Sequence, residues 1–451
     1  SNNTVSSNGG GVCVSGGTFI MKGGSISNNT ANNGSGVYVV KRNTGGNEIS
    51  PTFNISGEAC IVGNNDVYLT KDQKITITGE LTSDSVATIT PEKYEEVQVL
   101  AAGDVNTLKT QVKKFNVTET DFFTSEITEE GCLKITLEAA KLTAELYEKY
   151  STIKVSSADG MNAISDLSQN GGKDFAGKTI ILEKDVVLDD TYKLIKTFSG
   201  VFEGNNHTIT LNKPKDYDYF EHLGGAIFNV ITGKDAEVRN LNVSGEAYIA
   251  GIAIYLKNDA VISNCTNSAN ITSPNGENVP GCGGIVGDLS DGGVIINCKN
   301  EGTITYNSTN NKGCGGIVGE ISGNYMGKEN SIIANCINNG EIIRVQIEGG
   351  DDQVASIGGI CGEVTGKAAI YNCVNTQNGS VTSSTASNVT DKIGGITGYC
   401  SVSFYDEEFS YLPADMGIFN CYNSGRISCE NNSSSKYVGG IVGQGNVAYT
   451  R

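Results

Sequence analysis

Residues 172–179, GKDFAGKT, fit the phosphate-cradling pattern G-x-x-x-x-G-K-[ST] at Gly172, Gly177, Lys178 and Thr179. In a nucleotide-binding loop that spacing wraps backbone amides and the lysine around phosphates, and it needs a strand before the glycines and a helix after them. This chain has the reverse order. The stretch near 158–169 puts Met161, Ile164 and Leu167 on one helical face, whereas TIILEKDVVL, 179–188, is a β-branched strand. The loop therefore reads as a structural turn. GCGGIVG at 281–287 resembles a dinucleotide fingerprint with its last glycine misplaced, and its recurrence at 313–319 marks it as a repeated structural unit. No cofactor is expected.

The other reactive groups are sparse. The two histidines, His207 and His222, belong to no H-E-x-x-H pair, so a zinc-peptidase centre is not expected, and His207 in GNNHTITL reads as a corner residue. Acidic side chains gather at Asp351 and Asp352 and at Asp406, Glu407 and Glu408, with no calcium-loop spacing and no recurrence at matching repeat positions. The strongest candidate for binding chemistry is the insertion YCSVSFYDEEFSYLPADMGIF, 399–419. It concentrates Phe404, Tyr405, Phe409, Tyr411 and Phe419 in a chain with 7% aromatics. Exposed aromatic rings stack on sugars or anchor protein partners. PKDYDYFEHL, 214–223, is a weaker loop of the same kind.

Composition limits what can position these residues. Among 451 residues there are 58 Gly, 6 Pro and no Trp, with abundant Asn, Ser and Thr, which favours strands and turns. A net charge of -18 opposes phosphate backbones and anionic lipid, so nucleic acid is not an expected partner. No apolar run reaches the ~18 residues of a membrane span. The chain starts and stops inside a repetitive pattern, and we expect a monomeric segment of a longer protein. Its 13 cysteines lack C-x-x-C pairs and fit neither a disulfide framework nor a zinc site.

Self-comparison explains them. Asn-Cys-x-Asn recurs at 264, 297, 335, 372 and 420, and a glycine doublet followed by small apolar residues recurs at 283, 315, 358, 394 and 439. The Asn-Cys pairs stand 33, 38, 37 and 48 residues apart, a constant unit with variable loops, as in a solenoid. One unit, 315–350, contains three β-rich stretches, GGIVGEI, SIIANC and EIIRV, separated by Gly and Asn. Three strands per turn describe an all-β, right-handed parallel β-helix with rungs about 4.8 Å apart. Stacking would align Asn264, Asn297, Asn335, Asn372 and Asn420 as an amide ladder. It would align Cys265, Cys298, Cys336, Cys373 and Cys421 as buried free thiols, with Cβ vectors too parallel for disulfides.

These motifs resemble the GLUG repeat of bacterial secreted and cell-surface proteins, clearly over about 250–451, with FSGVFEGNNHTITL, 198–211, resembling the coil that leads into such repeats. The weaker turns GGAIFNV and VRNLNVSGEAYIAGIAIYL follow it. Residues 9–40 resemble the glycine-rich repeats of large bacterial surface proteins, also expected to be β-helical, and residues 51–137 would finish and cap that helix. A short helix carrying Leu142, Leu146 and Tyr150 would link the two, and the helix near 158–169 would cap the second solenoid. Two domains follow, 1–150 and 151–451.

The resemblance implies an extracellular, bacterial cell-surface location. It also implies a non-catalytic adhesin or exoprotein segment, a rigid stalk whose loops meet host or matrix glycans or proteins. Such repeats occur beside metallopeptidase domains in some immunoglobulin-cleaving proteins, but the zinc motif is missing here. The alternative is a β-helix polysaccharide lyase or hydrolase, which requires carboxylates converging on one sheet. Ice or crystal-surface binding would need Thr ladders, and runs such as KITIT are isolated.

Overall fold

The structure, a computed structural model, describes residues 2–93, 99–103, 108–118, 123–138, 142–215, 224–274, 279–307, 312–322, 330–345, 354–384, 391–401, 416–429 and 436–445. The chain divides into two compact units, Ser1–Leu142 with Leu146–Ile153, and Thr143–Glu145 with Lys154–Arg451. The expected boundary at 150 falls within this exchange.

In the first unit, alternation places Val37, Val39, Val67 and Leu69 inside. The two G-V-x-V edges pair in register, Val12 with Val37 and Val14 with Val39. They belong to a sheet of parallel strands Val12–Ser15, Val37–Val40, Asp66–Leu69, Ala87–Pro91 and Phe115–Val117. A second parallel set runs Thr18–Met21, Thr52–Gly57, Ile75–Leu81 and Val99–Gly103. The parallel order then ends: the hairpin Phe123–Ile127 and Leu133–Glu138 lies antiparallel on Val99–Gly103 and covers that edge. The short helix Ala144–Lys149 buries Tyr147, with Leu142 and Tyr150 buried at its flanks. Leu146, expected on the buried face, is half-buried instead.

The second unit opens with helix Ala158–Gln169, whose first turn is capped by Ser157 Oγ accepting from Gly160 N at 3.2 Å. Met161 and Ile164 are buried, and Leu167 is half-buried. Ser165 Oγ and Gln169 Nε2 donate to the carbonyls of Lys193 and Leu194, both at 2.6 Å, and Ser168 Oγ accepts from Thr197 N at 3.1 Å. The helix thus satisfies the open edge of strand Ile195–Phe198, the first of its sheet.

Beyond it, the described residues of each regular coil form five strands rather than three. In the coil from Ser331 they are Ser331–Ala334, Ile337–Asn338, Ile342–Val345, Ala355–Gly358 and Cys361–Thr365. The extra two are the short strand after Asn-Cys and the strand entering the glycine doublet, too brief or too glycine-rich to stand out in the sequence. Every strand pair described within these coils is parallel and in register, for example Ile295 with Ile333 and Ile342 with Val381. The unit is a parallel β-solenoid. The weak turns are regular as well: Val238 pairs with Ile262, and Val243 with Asn267. Among the described residues no helix is long and apolar enough to cross a membrane.

Candidate functional site

The Asn-Cys-x-Asn corner is built from a left-handed residue. Asn264, Asn297, Asn335, Asn372 and Asn420 have φ between 50° and 56°, a region asparagine tolerates better than other side-chain-bearing residues. The exposed amides of the first four form an outer ladder, Asn297 Nδ2 to Asn264 Oδ1, Asn335 to Asn297 and Asn372 to Asn335, each 3.2 Å. The residue after each is the inward thiol, buried in the first four and, against the expectation, only half-buried at Cys421. Cys265, Cys298, Cys336, Cys373 and Cys421 are unpaired, and each Sγ donates to the carbonyl two residues earlier, at 3.1 to 3.4 Å. Burial pushes the Cys298 and Cys336 thiols well up, so they are poor nucleophiles.

The second asparagine of the motif forms a ladder that sequence reasoning missed. Asn267, Asn300, Asn338 and Asn375 are fully buried, and with Asn423 they bond rung to rung, each Nδ2 donating to the next Oδ1 at 2.8 Å. The other Nδ2 proton closes the local turn, as in Asn338 to Gly340 O at 2.9 Å. The ladder starts where Asn267 replaces Val243 of the preceding rung.

A second missed feature follows the glycine doublet. Register aligns Tyr255, Asp288, Glu320, Glu363, Tyr399 and Gln444 on consecutive rungs of one sheet. The acidic residues singled out in the sequence, Asp351, Asp352, Asp406, Glu407 and Glu408, did not include this column, in which three carboxylates occupy adjacent rungs. Each is held from the side. Ser322 Oγ donates to Asp288 at 2.7 Å, Lys312 Nζ to Glu320 at 2.9 Å and Ser356 Oγ to Glu363 at 2.8 Å. Lys392 Nζ sits 3.5 Å from the centroid of the Tyr399 ring.

Burial, with the Glu320 charge adding to it, pushes the Asp288 carboxyl up to about 6 and raises Glu363. Burial opposes protonated Lys312, but Glu320, Asp288 and Glu363 outweigh it and raise that ammonium. Burial alone lowers Lys392, against the pull of Glu363. The row is therefore a compact mixed-charge strip in which one carboxyl changes state near pH 6.

That shift has a sign. Between the unfolded carboxyl value, near 3.9, and about 6 the folded state holds the proton that the unfolded chain releases, so this group's contribution to stability falls as pH rises through that window and stays low above it. Asp288→Asn keeps an acceptor for Ser322 and removes the titration. It should raise stability at pH 7 by about 1 kcal/mol, a figure discounted for solvent at this half-buried site. The gain should vanish below pH 4, as urea midpoints at the two pH values would show.

The other sequence candidates do not join this strip. Phe404, Tyr405, Phe409 and Tyr411 lie outside the described residues, as do Asp351, Asp352, Asp406, Glu407, Glu408 and His222. Phe419 ends strand Gly417–Phe419, half-buried and in register with Tyr371, so it belongs to the coil wall rather than to a loop. Gly172 and Gly177 have φ of 62° and 70°, and the buried Phe175 between them, at φ 63°, packs its ring 6.0 Å from Phe198. The phosphate-loop mimic is a turn that delivers a core phenylalanine. His207 Nδ1 lies 3.3 Å from Asp185 Oδ1 at a coil corner. Arg344 and Asp391 form a buried ion pair to which Ser383 Oγ adds a 2.5 Å hydrogen bond. Among the described residues no group of three or more His, Cys, Asp or Glu side chains is placed to hold a metal ion.

No family model matches the chain, and no curated protein matches it. Among solved structures, a candidate immunoglobulin A1 protease from Bacteroides ovatus is similar over 62% of this chain and 84% of its own, with 17% identity and a TM-score of 0.41. At that distance nothing about activity follows from the likeness.

Proposed function

We propose that the chain is a non-catalytic recognition and spacer segment of a bacterial secreted or cell-surface protein of the GLUG-repeat kind, presenting variable loops to a host or matrix glycan or protein. The observation that carries this reading is that the recurring polar groups bond to neighbouring rungs or turns. The two amide ladders, the thiols and the carboxylate strip all have partners inside the solenoid. What varies from coil to coil is loop length and loop chemistry. Eight of the thirteen thiols are buried, which shields them from oxidation in an extracellular setting.

The test compares the full chain with a variant lacking 402–415 on arrays of host and microbial glycans and on mucin. Binding that disappears with the deletion is expected. Absence of binding by either form removes the recognition role and leaves a spacer.

The carboxylate strip favours a second reading, a β-solenoid polysaccharide lyase or hydrolase. Asp288, Glu320 and Glu363 stand on adjacent rungs of one sheet, and burial raises the first and the last, which is the convergence of carboxylates such an enzyme needs. Cleavage of polygalacturonate by the full chain, lost in Glu320→Gln, would select it over the first.

A further inference from the structure

A cavity of about 300 Å³ opens on the first unit, within the size range of small-ligand pockets. It spans three rungs and is lined by Asn33, Ser35, Asn64, Asp66, Tyr68 and Thr90, among others. Every one of these side chains is polar, and none is cationic. The lone carboxylate in the group is engaged: Asp66 Oδ1 accepts from Ser35 N at 2.8 Å and from Ser35 Oγ at 2.9 Å. A phosphate or uronate would find no positive partner here, and a metal ion would find one carboxylate already bonded.

What remains is amide and hydroxyl chemistry beside an aromatic ring. Tyr68 is held in place by its in-register neighbour Tyr38, with ring centroids 5.6 Å apart and planes 26° from parallel. Asn33 Nδ2 donates to Asn8 Oδ1 at 3.1 Å, which fixes its amide and leaves its own Oδ1 as an acceptor at the wall. Asn64 is exposed on the next rung. Thr90 Oγ1 shares a 2.8 Å hydrogen bond with Thr118 and continues the tyrosine row. A fixed ring flanked by groups that both donate and accept matches the alternating C–H faces and hydroxyl edges of a pyranose. Because Tyr68, Asn33 and Thr90 are held by neighbouring rungs, they lose little freedom when a ligand enters.

We propose that this cavity is a binding site for a neutral saccharide, with Tyr68 as stacking platform and Asn33 and Asn64 as hydroxyl-reading groups. The proposal is independent of the 402–415 loop, since it concerns the first unit alone.

The experiment titrates the full chain with soluble neutral oligosaccharides (gluco-, xylo-, manno- and N-acetylglucosamine oligomers) and, in parallel, with polygalacturonate. Binding is read by saturation-transfer NMR and by tyrosine emission, which no tryptophan obscures in this chain. At least one neutral oligomer should bind. Tyr68→Ala should weaken it tenfold or more, with a lowered urea midpoint because the stack on Tyr38 is lost, whereas Tyr68→Phe should weaken it by less than about threefold and exposed Asn64→Ala by about threefold, both with an unchanged midpoint. If Tyr68→Ala proves unstable, Asn64→Ala carries the test. No neutral oligomer bound at 10 mM, binding of polygalacturonate alone, or binding unaltered in both Tyr68→Ala and Asn64→Ala would overturn the assignment. Deleting 402–415 should leave this binding unchanged, which separates it from any glycan recognition by that loop.

Discussion

Replacing Asn338 by aspartate should destabilise the second unit by about 3–5 kcal/mol at pH 8, although the two side chains have nearly the same size. All the bonding capacity of this amide is in use. Its Oδ1 accepts from Asn300 Nδ2 at 2.8 Å and from Gly340 N at 3.3 Å, while its Nδ2 donates to Asn375 Oδ1 at 2.8 Å and to Gly340 O at 2.9 Å. Aspartate keeps both acceptor roles and loses both donations. Two buried acceptors, Asn375 Oδ1 and Gly340 O, would then face a carboxylate, and the residue itself is fully buried. Taking up a proton would restore one donation and remove the charge, so the defect should be smaller at pH 5 than at pH 8. Urea midpoints at both values, against Asn335→Asp as control, read this directly. Asn335 stands on the exposed outer ladder at φ 53°, which aspartate also tolerates, and its replacement should cost no more than about 1 kcal/mol. Equal losses at the two positions would mean that the inner ladder is not what holds the coils together.

The contrast between these asparagines shows where sequence reasoning stops. Both recur in every Asn-Cys-x-Asn unit, so recurrence ranks them equally. Alternation counted from the preceding strand does not separate them, because the left-handed residue at the first position shifts its phase: Ile333 and Ala334 are both buried, and strict alternation resumes only from Asn335. Cys336 and Asn338 are consequently both buried, with Ile337 exposed between them, while Asn335 faces solvent. The repeat length, the apolar doublet segment, the thiol column and the capping helix were legible because each follows from composition or period. The carboxylate strip was hidden for a different reason. The position after the doublet reads Asp288, Glu320, Glu363, Tyr399 and Gln444, a column of mixed chemistry that becomes one feature only when register stacks it. Its partners Lys312, Ser356 and Lys392 precede the doublet, and the glycine corner that folds them back onto the strip reads in sequence as a break. In Asp391–Gly394 and Ala355–Gly358 that corner joins two strands instead.

The same corner sets the other large effect. Gly316→Ala should cost about 3 kcal/mol or more, through packing rather than backbone conformation, since Gly316 has no positive φ. An added Cβ would lie 2.2 Å from Gly359 O, 2.4 Å from Asn338 Cγ and 2.5 Å from Asn338 Oδ1, striking both the next rung and the inner ladder. Neither can retreat: Ile317 N and Val318 N bond Ile360 O at 2.9 and 3.0 Å, and Asn338 is fixed by its four bonds. Gly440 holds the equivalent place in the last described coil and has nothing within 4 Å of its added Cβ, so Gly440→Ala should change stability by less than about 0.5 kcal/mol. Because each coil contacts chiefly its neighbours, a rung pushed apart at Gly316 also interrupts the stack. Urea unfolding of Gly316→Ala, followed by circular dichroism and limited proteolysis, should show the coils beyond the fault melting before those preceding it. A single transition at the unaltered midpoint would mean that the rung spacing yields, and that close approach at the doublet is not what the glycines are for.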